Sequence, residues 1–139
     1  WFICSVGDFY SIWTNSCNLG FHRPRYREGL GDAWDRSIIL TLTEFGRTVK
    51  INGTWGTDHG YGSAGLLAGG SITKSRVISE WPGLADRDLF QKRDVMSTID
   101  YRSVCAACIE NALGLDHDLI ADKVFFTPKL PRVYDYIFS

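Results

Sequence analysis

The run "SIILTLT", Ser37–Thr43, is the feature that most constrains how this chain can fold. Its aliphatic and β-branched residues suit a buried strand. The run stops at Glu44, and "TEFGRTVKINGTWGTDHGYGSAGLLAGG" then carries the chain to Gly70 with glycine recurring throughout. In open α/β sheets, ligands bind where the chain leaves the carboxyl ends of strands. A strand that gives way to a glycine-punctuated loop with acidic, basic and imidazole side chains therefore marks the place to look for function.

The flanking segments supply the rest of an α/β pattern. "GLLAGGSI" and "SRVISEW" read as short strands or strand ends, "WPGL" as a turn, and "ADRDLFQKRDVM" as a short helix followed by a connection. Asp100 is placed to cap a helix over Tyr101–Leu113, with Gly114 where a left-handed residue ends a helix. Asp116 can cap a second helix, "HDLIADKVF". Residues 1–30 show no clear period, and 126–139, with two prolines, read as an extended surface tail. Strands interleaved with helices place the chain in the α/β class.

At 139 residues and 45% hydrophobic composition, one domain or part of a larger one is expected. A formal charge of −1, with Lys and Arg scattered, gives no basic field for a phosphate backbone, so nucleic acid is not an expected partner. No apolar run approaches the roughly 18 to 20 residues of a membrane helix, so no membrane span is expected. The start at Trp1, without the pattern of a signal peptide, reads as an internal segment whose targeting signal, if any, lies upstream.

Within the loop, Glu44 stands one residue past the expected strand and Arg47 three further on. The carboxylate can bind a metal or act as a base, and the guanidinium offers a planar fork to a phosphate, sulfate or carboxylate. The same two residues also read as a plain surface ion pair. Asp58 and His59 are ligand types for zinc or manganese, or form a hydrogen-bonded turn. Gly60–Gly65 fits G-x-G-x-x-G but lacks a strand before it and a helix after it, so no nucleotide cofactor is expected. Cys105 and Cys108 form a C-x-x-C inside a helical pattern, on an apolar side with Val104, Ile109 and Ala112, and read as core residues rather than a redox or zinc pair. His22 and His117 read as solvated surface residues. Asn52-Gly53-Thr54 is a glycosylation sequon only in a source that glycosylates exported proteins.

"WDRSIILTLTEFGRTVKINGTWGTDHGYGSAGLLAGGSI" followed by "RVISEWPGLADRDLFQKRDVMSTIDYRSVCAACIENALGL" resembles the carboxyl-terminal part of the domain-of-unknown-function 1501 family. This is a bacterial, sulfatase-like family, often exported through the twin-arginine route, within the alkaline phosphatase superfamily. The resemblance covers about Gly31–Phe125, as part of one domain over 31–125, and rests on "EFGRT", "GTDHG", "WPGL" and "TIDYR" in order. It implies part of an α/β/α sandwich with a metal site at strand ends, and hydrolysis of a small anionic phosphate or sulfate ester. Glu44, His59 and Asp58 would be metal ligands, for zinc, manganese or calcium, and Arg47 would hold the substrate anion. Phe45 stands where the superfamily has a ligating histidine. "GDFYSI", Gly7–Ile12, is the nearest echo of the upstream metal motif, with Tyr10 and Ile12 at its acid and histidine positions, and the superfamily's nucleophile would lie further upstream. The resemblance thus implies a fragment inactive by itself, periplasmic or exported, that self-associates through exposed sheet edges; the alternative is a non-catalytic binding or structural module of the same fold.

Overall fold

The computed structural model describes residues 2–6 and 23–139. The echo at Gly7–Ile12, with His22 and Cys17, lies outside the described residues. The described elements run β1 (Phe2–Val6), α1 (Arg23–Leu30), a 3-10 helix (Gly31–Arg36), β2 (Ile39–Leu40), β3 (Gly46–Arg47), β4 (His59–Gly60), β5 (Ala64–Ala68), β6 (Arg76–Ile78), a 3-10 turn (Asp86–Asp88), α2 (Tyr101–Leu113), α3 (His117–Lys123) and α4 (Tyr134–Phe138). The chain is α/β, as its sequence pattern predicts.

The main sheet has the order β2-β5-β1-β6. β1 runs parallel to β5 from Phe2↔Ala64 to Val6↔Ala68, while β6 pairs antiparallel with β1 and β2 antiparallel with β5. Phe2–Val6, from the segment without a readable period, is thus an interior strand. Five residues are too few to set a period, and only their partners identify them.

The anticipated buried strand Ser37–Thr43 is shorter than expected and half-buried at the sheet edge. Thr41 explains where its ladder changes character. Its N–H still donates to the Leu66 carbonyl at 2.8 Å, but its hydroxyl, not its carbonyl, accepts the Leu66 N–H at 2.8 Å. A threonine hydroxyl competes in this way with the backbone acceptor. Beyond it the ladder closes through the side chains of Thr43 and Ser63, whose hydroxyls lie 2.7 Å apart.

The core lies between this sheet and two helices. Leu67 and Ile72 meet Val104 and Ala107 of α2 and Ile137 of α4, with Ile38, Leu40, Ile78, Cys108 and Phe138 packed around them. A second cluster joins Ala106 of α2 to Ile120 and Ala121 of α3 and to Leu130. α2 is therefore apolar toward two neighbours. Its buried residues are Ser103, Val104, Ala106 and Ala107, whereas Ala112, expected on the apolar side, is exposed.

Both helix starts follow the sequence. The Asp100 carboxylate accepts the Arg102 N–H at 2.9 Å, and Asp116 accepts from Asp118 and Leu119 at 3.0 and 3.2 Å. Gly114 closes α2 in the left-handed region at φ 64°, its N–H bonded to the Glu110 carbonyl. α3 ends at Lys123, two residues before the expected Phe125.

Three expectations are corrected here. The segment "ADRDLFQKRDVM" forms one 3-10 turn and then a tight reversal, with Phe90 paired to Asp94 across Gln91 and Lys92, both at positive φ. Its helical period is overridden by Leu89, which is buried, and by Phe90, which stacks on Tyr61 at 4.8 Å. His117 is buried rather than solvated, its Nε2 lying 2.9 Å from the Leu130 carbonyl oxygen, which the ring N–H is placed to reach. The tail is not an extended surface segment. It turns back, forms α4, and is held by Arg76, which donates to the Tyr136 and Ser139 carbonyls, and by Arg132, which bridges Glu110 and Asp135. Apolar residues one turn apart at 133–138 offer an amphipathic surface only when the sheet is there to receive it.

Candidate functional site

β3 and β4 form a two-stranded ribbon beside the main sheet, with Gly46 opposite Gly60 and Arg47 opposite His59. The glycines allow the backbone to approach where no side chain fits. A Cβ on Gly46 would overlap the Gly62 carbonyl, one on Gly60 would lie 2.5 Å from the Arg47 carbonyl carbon, and one on Gly62 would lie 2.5 Å from the Val95 carbonyl oxygen. The loop spends its flexibility on packing three backbone segments together.

This packing leaves an open cleft of about 590 Å³ where β2 ends and β5 begins. Glu44, Phe45 and Arg47 border it on one side, the Thr43–Ser63 hydroxyl pair on another, and Trp81 and Val95 supply apolar wall. No ion pair joins Glu44 to Arg47, so the plain reading of that pair does not hold. Among the described residues the Glu44 carboxylate has no hydrogen-bond partner. Arg47 donates to the Thr57 carbonyl at 3.0 Å and lies 5.5 Å from the Phe45 ring centroid. Among the described residues no carboxylate pairs with the guanidinium.

Asp58 precedes β4 while His59 opens it, and the two side chains take different partners. The His59 ring stacks on Phe45, centroids 3.8 Å apart, on the side that carries Arg47. The Asp58 carboxylate instead accepts the Asn52 amide at 2.9 Å. Asn52 organises the whole loop tip: its side-chain oxygen accepts from the Thr54 N–H, the Thr54 hydroxyl and the Gly56 N–H, all within 3.0 Å. The sequon asparagine is thus an internal fastener, which holds Trp55 at φ 63° and 90% exposed.

The structure therefore gathers Glu44 and Arg47 at the cleft, puts His59 behind Phe45, and turns Asp58 into the loop. Among the described residues no group of three or more His, Cys, Asp or Glu side chains converges on a point that could hold a metal ion. Glu44, Asp58 and His59 do not fit a complete metal centre on their own. Of the G-x-G-x-x-G glycines, Gly60 lies in β4, Gly65 in β5 and Gly62 between them, not at a strand-to-helix turn. Cys105 and Cys108 are partly buried on α2, and burial pushes both thiols up, Cys108 to about 12, so neither is poised as a thiolate.

Sequence reasoning missed the other walls of the cleft. Thr43 and Ser63 belong to segments read as strand and decoy, and Trp81 and Val95 arrive from 20 or more residues downstream. Asp94 was missed as well: it is buried, pairs across from Thr48, and is held by Arg93 at 3.1 Å. A lone "RD" pair carries no signal that its acid is interior.

Comparison with family models matches residues 25–124 to one family, described as a protein of unknown function (DUF1501). No curated protein and no solved structure matches the chain. No described helix is long and apolar enough to cross a membrane.

Proposed function

The chain belongs to the DUF1501 family, and from that premise we propose that it is a portion of a phosphate or sulfate ester hydrolase, supplying the side that holds the substrate anion. The fold of the whole would be the α/β/α sandwich of the alkaline phosphatase superfamily, exported to the periplasm. The observation that carries this reading is Arg47: a guanidinium on a cleft wall, over the Phe45 ring, with no carboxylate paired to it among the described residues. Arginine so placed binds a tetrahedral oxyanion with its outward N–H donors. Trp81 and Val95 would receive the apolar part of a small ester, as pockets of this kind join an apolar wall to a few placed polar groups.

Hydrolysis in this superfamily draws on divalent metal, here zinc, manganese or calcium, and on a nucleophile. Glu44 and His59 would contribute to a metal centre only with ligands from outside the described residues. No step is derived through the metal for this chain, and the chain is inactive by itself. The specific observation favouring the second reading, a non-catalytic binding module, is the Phe45–His59 stack, which fills with a ring the place of a second ligand.

Calorimetric titration with phenyl phosphate and phenyl sulfate tests the anion side. Binding that Arg47→Ala abolishes, without turnover of either ester, is the expected result; binding untouched by Arg47→Ala removes the reading. Elemental analysis of the chain beside the Glu44→Ala, His59→Ala double variant separates hydrolase from module. Stoichiometric metal lost in the variant supports the first, and no metal in either supports the second.

A further inference from the structure

Among the asparagines of this chain only Asn52 is followed by glycine. A glycine there carries no side chain to keep its backbone nitrogen from the carboxamide carbon of the asparagine before it. The structure leaves that nitrogen ready: Gly53 is exposed, and its N–H makes no hydrogen bond among the described residues. The carboxamide, by contrast, is held. Its Oδ1 accepts the Thr54 N–H at 3.0 Å, the Thr54 hydroxyl at 2.9 Å and the Gly56 N–H at 3.0 Å, while its Nδ2 donates to the Asp58 carboxylate at 2.9 Å. Three donors on one atom and a carboxylate on the other fix which is oxygen and which nitrogen.

Ring closure between the Gly53 nitrogen and Asn52 Cγ turns the carboxamide out of this set of partners, so the loop tip opens first. Little besides these bonds resists. Residues 53–56 are all exposed, and the backbone closes the tip only through Asn52 to Gly56 and Trp55 to Asn52. Trp55 sits at φ 63°, a conformation unfavourable for a residue with a side chain. In the open tip the Gly53 nitrogen bonds to Cγ, the Cγ–Nδ2 bond breaks, and the amide nitrogen leaves as ammonia with the Gly53 proton. Water then adds across either C–N bond of the cyclic imide. Cleavage at Cγ gives aspartate; cleavage at the main-chain carbonyl gives isoaspartate, with an extra methylene in the backbone.

We propose that Asn52–Gly53 is a deamidation site held shut by the hydrogen bonds of its own loop, and that its conversion releases the Trp55 tip irreversibly. Either product replaces the Nδ2 donor by a carboxylate. Nothing then donates to Asp58 from position 52, and a second negative charge stands near it, which repels. Isoaspartate also shifts the acceptor away from the Thr54 and Gly56 donors. Because ammonia has left, reclosing the loop does not undo the change. Trp55, 90% exposed on a fixed tip in the native chain, becomes the end of a loosened and more acidic loop.

The test ages the full chain beside a synthetic peptide of residues 48–60, which has no fold to hold Asn52, in mildly alkaline buffer. Peptide mapping by mass spectrometry then measures aspartate and isoaspartate at position 52. The folded chain should convert more slowly than the peptide by about tenfold or more, the factor that one net hydrogen bond can supply. Thr54→Val removes one donor from Oδ1 at an exposed position and should speed the folded chain by about two- to tenfold. Gly53→Ala has room for its methyl, with nothing within 4 Å, and should slow conversion in chain and peptide alike. Thermal melts check that both variants keep the fold. In converted chain separated by ion exchange, hydrogen exchange at the Thr54 and Gly56 amides should rise toward the rate in the peptide. A folded chain that converts as fast as the peptide, a peptide that does not convert, or a rate that Thr54→Val leaves unchanged would overturn the gated site. Converted chain whose Thr54 and Gly56 amides stay as protected as before would overturn the release.

Discussion

Gly60 has no room for a methyl group: a Cβ would press on the carbonyl carbon of Arg47 and the amide of Thr48, all backbone that cannot swing aside. Gly60→Ala should cost about 3 kcal/mol, the upper end for overpacking a tight contact, and a urea titration would read it as a lowered midpoint. At the same scale, the Arg102 guanidinium holds the Asp100 carboxyl below its usual value near 3.8. The stability this confers is present above that value and lost as pH falls through the lower folded value. Asp100→Ala should cost about 1 kcal/mol at neutral pH through loss of the cap and should flatten acid unfolding below about pH 4. Paired denaturation curves at neutral and acidic pH would show both. Asp100, Gly114 and Asp116 were legible because a cap is a local device: each aspartate serves an amide two or three residues on, and the Gly114 N–H reaches the Glu110 carbonyl four residues back. The burial of His117 and Asp94 was not, since each is covered by chain that arrives from elsewhere.

Among the elements, α4 shows how far local reading can miss. Two prolines and a short run of aromatics gave no helical signal, yet Ile137 is among the most buried side chains and joins Leu67 and Val104 in the core. Ile137→Ala should cost about 2 to 5 kcal/mol, and removal of residues 126–139 should strip both Ile137 and Leu130 from their clusters and abolish a cooperative thermal transition. Circular dichroism melts of the two variants decide this; a truncated chain that melts like the full one would show the tail to be dispensable. The ribbon of β3 and β4 makes the complementary point. Its two-residue strands fall below any period, and they exist because Gly46, Gly60 and Gly62 let three backbones meet.

At the scale of the molecule, the sheet ends, among the described residues, on β2 at one side and β6 at the other. Val77 on the β6 edge is 71% exposed, and Ile51, Trp55 and Phe126 add apolar surface elsewhere. Open strand edges with apolar side chains invite pairing with another chain. Size-exclusion chromatography with light scattering should therefore show self-association that rises with concentration, and Val77→Lys should reduce it; a monodisperse monomer at all concentrations would refute this. By itself the sequence determined the α/β class, the two capped helices, the chain's family and the loop in which Glu44 and Arg47 reach a cleft. Each of these depends on neighbours within a few residues or on a motif order that survives without coordinates. Tertiary structure alone decided that Phe2–Val6 is an interior strand, that the tail closes the core, that Asp58 and His59 take different partners, and that Thr43 meets Ser63. Those are matters of long-range register and burial, and a strand's alternation assigns a side chain to a face only once its partners are fixed.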